Sequence, residues 1–437
     1  MNFRRLSCSC AMGLFALCAF SSAPDSARAQ APAQANLAEI HFSGLSRYPA
    51  QQVIAASQLK PGTAVTAAEM QAASDRLAKL GVFDRVSYNY TTRGNDLSLE
   101  FQVVETRNRI LPCAFDNFVW FSTDEIDRTL RARVPLYSGS VPEGGTLPQQ
   151  VADTLQAMLR ANGINGSVSS LPTLDTKTGQ YVNFSYRVSG VSIPVRVLHF
   201  PGASAISESE LESAAKDLIN KDYSATDAQY VASLTLLPIY RRRGYLNARF
   251  DSPQAAIAGT KGAEFDISVT LPVNEGVQFS WNGSSWSGNH TFSSDQLTGM
   301  LSMKPREVAN QDKISAGLKA VLTAYSRQGY IDATMKTSAS LDAGSRLVAY
   351  DSALDEGIQY KMGQLHITGL PDKTAAELLK KWPIKPGQAF DGTYADEFLM
   401  KVVYPKIAQP GKAPPVAEEQ LRREKENGTV DLTLAFR

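Results

Sequence analysis

Residues Pro238 to Phe250 read PIYRRRGYLNARF, and residues Thr323 to Met335 read TAYSRQGYIDATM. The two phrases share Tyr240 with Tyr325, Gly244 with Gly329 and Ala248 with Ala333, while the arginine run occurs only in the first. Units that recur at a fixed spacing decide an architecture before any local element does. Aligned on that glycine, further segments that read as a helix and then turn into a strand place Gly81, Gly163 and Gly411 beside Gly244 and Gly329, at intervals of 82, 81, 85 and 82 residues in chain order. Four residues before each glycine stand Leu77, Leu159, Tyr240, Tyr325 and Ile407, and eight before stand Ala73, Leu155, Leu236, Val321 and Val403. Spacing by four is one face of a helix, so five helices are expected to bury the same stripe and to stop at a glycine.

Strands surround these helices. LSLEFQV, VNFSYRV, FDISVTL and VDLTLAF alternate apolar and polar residues, the pattern of a sheet covered on one side, and LVAYDSAL is a weaker member of the set. Opening strands run into turns at Gly44, Gly202, Gly283 and Gly369, where a positive φ is expected, with Asn117 in the corresponding place of the second unit. Thr66 and Glu69 form a capping box that starts the main helix of the first unit. Each unit reads strand, helix, helix, strand, strand.

Composition narrows the function classes. The chain has 437 residues, 43% hydrophobic and 20% charged, with a net charge of +1, which gives no sign of a nucleic-acid binder. Arg4 and Arg5, an apolar run from Ala11 to Phe20, and Ala27-Arg28-Ala29 predict a signal peptide over residues 1–29, cleaved before Gln30 to leave a mature charge of −1. Leu17 is too large to precede a lipidated Cys18. After cleavage only Cys113 remains, so no intramolecular disulfide is expected.

The repeated phrases, above all FSGL, SQLKPGTAVT, RLAKLGVFDRVSYNY and LSLEFQVVET in the first unit, resemble the POTRA domain found in front of outer-membrane barrels of the BamA and TamA type. The resemblance implies an α+β fold, a tandem array of five β-α-α-β-β units, each with two helices packed on one face of a three-stranded mixed sheet. After a disordered linker over residues 30–36, the units are expected at 37–106, 107–190 (divergent), 191–275, 276–357 and 358–437, without the C-terminal β-barrel of the barrel-bearing members. The implied function is a non-enzymatic periplasmic scaffold that binds unfolded or extended β-rich outer-membrane polypeptides, beside a separately encoded barrel protein and peripheral to the outer membrane. The alternative is an envelope structural or division-type protein that only holds partners together. No nucleic acid, metal or cofactor is expected.

An exposed sheet edge can accept an extended peptide by main-chain hydrogen bonds. The strand after the recurring glycine is the edge in the resembling family, so Arg85, Val86, Ser87 and Tyr88 in the first unit, and Leu246, Asn247, Ala248, Arg249 and Phe250 in the third, are the expected client-binding residues. The helix-stop glycines are expected to be structural. Arg241, Arg242 and Arg243 read as a solvated helix end, with contact to lipid headgroups or an acidic partner as the alternative. His41, His199 and His366 recur at one strand position in three different units, so they read as half-buried strand histidines and not as ligands of one ion. Cys113 reads as a buried structural residue.

Overall fold

The computed structural model describes residues 34–175, 178–408 and 415–437; the expected signal peptide and Gly411 lie outside them. The chain is mixed α+β and divides into two compact units. The first takes its described residues from Met1–Cys113, Asp127–Leu155 and Ser170–Phe184, and the second from Ala114–Ile126, Gln156–Ser169 and Ser185–Arg437.

The chain opens with β1 (Ala35–Ser43), α1 (Ala50–Ser57), β2 (Ala64–Val65), α2 (Ala67–Lys79), β3 (Phe83–Arg93) and β4 (Asp96–Glu105), and its first sheet has the order β2-β1-β4-β3. Strand β4 runs parallel to β1 and antiparallel to β3. The alternation in LSLEFQV puts Leu97, Leu99, Phe101 and Val103 in the core, where Ala73 and Leu77 of α2 are also buried. The capping box is present in both directions, with the Thr66 side chain accepting from the Glu69 N–H and Glu69 accepting from the Thr66 N–H. A cap of this kind stabilises a helix by about 1 kcal/mol. Ala35 and Asn36 already pair with β2 and β4, so the linker expected through residue 36 ends before the strand.

Next come β5 (Ile110–Phe115), α3 (Thr123–Arg133), β6 (Ser140–Pro142), α4 (Leu147–Ala161), β7 (Ser167–Asp175) and β8 (Gln180–Ser189), with sheet order β6-β5-β8-β7. The third set is β9 (Val195–His199), α5 (Glu208–Ala214), α6 (Ala225–Val231), a π-helical turn Ala232–Leu236, α7 (Leu237–Arg242), the pair β10 (Arg249–Phe250) and β13 (Val273–Asn274), and the strands β11 (Gln254–Lys261) and β12 (Glu264–Thr270), ordered β11-β12-β9. The fourth is β14 (Ser280–Ser287), α8 (Ser294–Met300), α9 (Gln311–Arg327), β15 (Thr334–Asp342) and β16 (Leu347–Asp355), ordered β14-β16-β15. The last is β17 (Lys361–Thr368), α10 (Asp372–Leu379), α11 (Tyr394–Phe398), a π-helical turn Leu399–Val403, α12 (Tyr404–Ile407), β18 (Ala417–Glu424) and β19 (Thr429–Phe436), ordered β17-β19-β18. In each set the final strand is central, the opening strand lies on one side of it and the middle strand on the other.

The helix stripe read from the glycine spacing is the core stripe. Leu159, Tyr240, Tyr325, Leu155, Leu236, Val321 and Val403 are all fully buried, and Ile407 is half-buried. Strand β16 is a full strand although LVAYDSAL reads weakly. Its inward Ser352 is buried and shares a hydrogen bond with the Thr337 hydroxyl, so a polar residue takes an apolar position.

Two turn assignments are corrected. Gly283 lies inside β14, beside a bulge, and the turn glycine of that set is Gly288: a Cβ there would sit 2.1 Å from the Leu354 carbonyl oxygen, as one at Gly44 would sit 2.0 Å from that of Val103. Asn117 does not have a positive φ. Its buried amide instead bonds both backbone groups of Val188, at 2.7 and 2.9 Å.

Candidate docking edges

A sheet edge is a row of backbone donors and acceptors, and it is a site only where nothing else pairs with it. In each of the five three- and four-stranded sheets the start of the opening strand is paired on its outer side. Strand β2 pairs with Ala35 and Asn36 of β1, and β6 with Ile110, Leu111 and Pro112 of β5. Single bridges pair only the start elsewhere, Pro194 with Asp222, Ser280 with Val308 and Lys361 with Ala389. The opposite edges, β3, β7, β11, β15 and β18, end their sheets, and among the described residues no further strand pairs with them.

Arg85, Val86, Ser87 and Tyr88 stand on such an edge, in β3, with Val86 and Tyr88 opposite Val103 and Phe101 on the core side and Arg85 and Ser87 on the outer face. Leu246, Asn247 and Ala248 do not form an edge, which corrects the expectation. After Gly244 the chain makes a turn in which Tyr245 N–H donates to the Tyr240 carbonyl and Ala248 N–H to that of Tyr245. Ala248 is buried, and Arg249 and Phe250 pair with Asn274 and Val273, away from the main sheet. The edge of that sheet is β11, which begins only after Pro253.

The phrase that recurs in the sequence is therefore a joint. Gly244 has φ +81° and its carbonyl accepts from the Phe279 N–H at 2.8 Å; Gly329 has φ +90° and accepts from the Tyr360 N–H at 2.9 Å. The Gln278 amide donates to the Arg243 carbonyl as the Gln359 amide does to that of Gln328. A Cβ at Gly81, φ +86°, would sit 2.1 Å from the Gly144 carbonyl oxygen, whereas one at Gly163, φ +72°, would have nothing within 4 Å. Of the arginine run, Arg243 holds Glu210 with two short bonds and Arg242 reaches Asp312 of α9 at 3.8 Å; Arg241 is exposed.

Sequence reading missed a recurring carboxylate. Glu105 closes β4, Glu275 follows β13 and Glu356 follows β16, and each accepts backbone N–H bonds from the loop after the opening strand: Ser46 and Arg47, Ser204 and Ala205, His290 and Thr291. Burial opposes ionisation of Glu105, but these bonds together with the Arg47 guanidinium and the Ser46 hydroxyl outweigh it and hold the pKa at about 2. Burial is outweighed likewise at Glu275 and Glu356, whose pKa values are lowered. The repeat of VET, NEG and DEG in the sequence was the available signal. A second missed residue is Asp116, whose buried carboxylate accepts from the Ser224 hydroxyl and the Thr226 N–H at the start of α6.

His41, His199 and His366 are exposed on strands, not half-buried, and Cys113 is half-buried in β5. No helix among the described residues is long and apolar enough to cross a membrane.

Residues 35–106 and 281–356 match the model of the POTRA family, described as surface antigen variable number repeat. A protein of Treponema pallidum (strain Nichols) named as an outer membrane protein assembly factor is 22% identical over 225 residues, 48% of this chain; the match spans only 26% of that protein. The crystal structure of Haemophilus influenzae BamA POTRA3-5 is similar with a TM-score of 0.44 and 17% identity, covering 57% of this chain and 98% of that one. The N-terminal domain of Omp85 from Thermosynechococcus elongatus aligns with a TM-score of 0.19 and 13% identity over 74% of this chain and 97% of its own. The two stretches that match the POTRA family are those that form the first and fourth sheets.

Proposed function

We propose that the chain is a periplasmic array of five POTRA-like modules, bounded near residues 106, 190, 275 and 357, that binds extended polypeptides during outer-membrane protein assembly and does no chemistry of its own. The observation that carries this reading is the edge pattern: five sheets share one strand order, each with its opening strand paired at its start and its middle-strand edge without a partner strand among the described residues. An open edge offers main-chain hydrogen bonds with little demand on sequence, which suits clients that are unfolded β-proteins. The relative's name, an outer membrane protein assembly factor, supports the same pathway. Arg85 to Tyr88 remain proposed docking residues, and in the third module the role passes from Leu246–Phe250 to β11. A barrel protein encoded separately is the proposed partner at the membrane. The test is photo-crosslinking in the cell envelope from open-edge and covered-edge positions, with capture of outer-membrane polypeptides expected from the open edges alone.

A further inference from the structure

The five open edges differ in how they are guarded. Sheet proteins keep an edge from pairing with charges, proline or a bulge. Strand β3 has a bulge between Phe83 and Arg85 and carries Asp84, Arg85 and Arg93. Strand β7 contains Pro172. Strand β11 is bulged between Ile257 and Gly259. Strand β18 carries Glu418, Glu419, Arg422, Arg423 and Glu424. Strand β15, TMKTSASLD, has no proline, and its register with β16 is unbroken from Thr334 opposite Asp355 to Asp342 opposite Leu347. Its charges are Lys336 and the terminal Asp342, and Asp342 is occupied by the N–H groups of Gly344 and Ser345 and by the Ser345 hydroxyl.

The two faces beside this edge differ in chemistry. Met335, Thr337, Ala339 and Leu341 lie opposite the inward residues Leu354, Ser352, Tyr350 and Val348, so they form the helix-side row; Leu341 is still 37% exposed. Lys336, Ser338 and Ser340 form the outer row. Lys336 and Ser338 line an open hollow of about 360 Å³ with Ser285, Trp286, Ser287, Asp351 and Ala353. Asp351 already accepts from Ser285, and Lys336 has no ion pair among the described residues.

We propose that β15 is the strand on which this array receives its client, and that the client segment is an extended stretch of another polypeptide alternating apolar and small polar residues, with a carboxylate on its polar face beside Lys336. A strand added to β15 continues both rows: its apolar side chains extend the helix-side row and its polar ones face the hollow. Opposite charges on neighbouring strands attract, so the unpaired ammonium fixes which face is polar and favours an acidic residue there. Such alternation is the pattern of membrane-barrel strands. The inference rests on the proposed edge-binding function and selects one edge and one pattern within it.

The test uses the full chain and a fluorescent peptide of about ten residues alternating valine and threonine with one aspartate on the threonine face. A control peptide has the same composition with the valines in one block. Ser338→Pro and Ala339→Pro bracket the two backbone orientations, and a melting curve identifies a variant that retains the fold. Saturable binding of the alternating peptide to the wild type, weakened about tenfold or more in the folded proline variant, is expected, because that proline removes a docking donor. Lys336→Glu is expected to weaken the aspartate peptide and to bind a lysine counterpart better, a readout that holds even if both proline variants unfold. Equal binding of the blocked peptide, no binding at all, or no effect of the folded proline variant and of Lys336→Glu overturns the proposal. Loss of binding in Ser87→Pro or Ala256→Pro but not at β15 overturns the choice of edge and leaves the edge-binding function standing. No effect at any edge sinks that function as well. Self-association of the wild type that Ser338→Pro abolishes, without peptide binding, makes a second copy the occupant and overturns the assigned client.

Discussion

Gly163 and Gly244 both stop a helix at positive φ, yet a Cβ at Gly163 would meet open space while one at Gly244 would lie 2.8 Å from the Phe279 carbonyl oxygen. Backbone strain alone costs an alanine about 1 to 2 kcal/mol at such a position. Gly163→Ala should therefore lose about that much, and Gly244→Ala or Gly329→Ala should lose roughly 2 kcal/mol more, because the next segment must move away. Urea unfolding midpoints check this, and equal losses at all three sites would show that the joint contacts carry no energy. Glu105 gives a pH signature. Its folded pKa of about 2 lies below the ordinary 4.5, so the stabilisation is complete above 4.5 and is lost as pH falls toward 2. Linkage puts the amount at up to about 3 kcal/mol. The unfolding midpoint of the wild type should drop across that window, and Glu105→Gln should start lower at pH 7 and show a shallower drop. Parallel pH curves for the two proteins would contradict it.

At the scale of elements, the recurring phrase was legible as a helix end but not as a joint. Spacing of four exposed the buried stripe from Leu236 to Tyr240 because helical period depends only on local sequence. The π-helical turns were not legible that way. Each is followed, after one residue, by a proline, Pro238 and Pro405, which lacks an N–H and crowds the carbonyl four residues back; α2 and α9, without proline, stay regular. The edge of the third sheet was misplaced because LNARFD alternates as a strand would, while Ala248 bonds back to Tyr245 and Arg249, Phe250 and Asp251 pair with Asn274, Val273 and Pro272. Whether a short alternating run becomes a strand is decided by its hydrogen-bond partners, which the sequence does not display. Ala248→Pro should consequently destabilise, by about 1 to 3 kcal/mol, through loss of a buried turn bond. An unchanged melting temperature would restore Ala248 to an outward-facing edge. Strands β3 and β4 were placed correctly because Gly81 leads directly into β3 and Leu97, Leu99, Phe101 and Val103 alternate without interruption.

At the scale of the whole molecule, one strand order repeated across the chain leaves the same kind of edge open in every sheet, and the account stands on those edges being where clients bind. The differences among edges follow from side chains that the repeat does not constrain, since bulges, proline and charge vary from β3 to β18 while the strand order does not. Site-specific photo-crosslinking in the cell envelope separates the two kinds of edge most directly. A photoreactive residue is placed at Ser87, Ala256 or Ser338 on open edges, and at Asn36, Ser280 or Lys361 on the covered starts of opening strands. The account predicts adducts with outer-membrane polypeptides from the first group, strongest at Ser338, and background from the second. Equal capture from both groups, or capture from the covered strands alone, would contradict it.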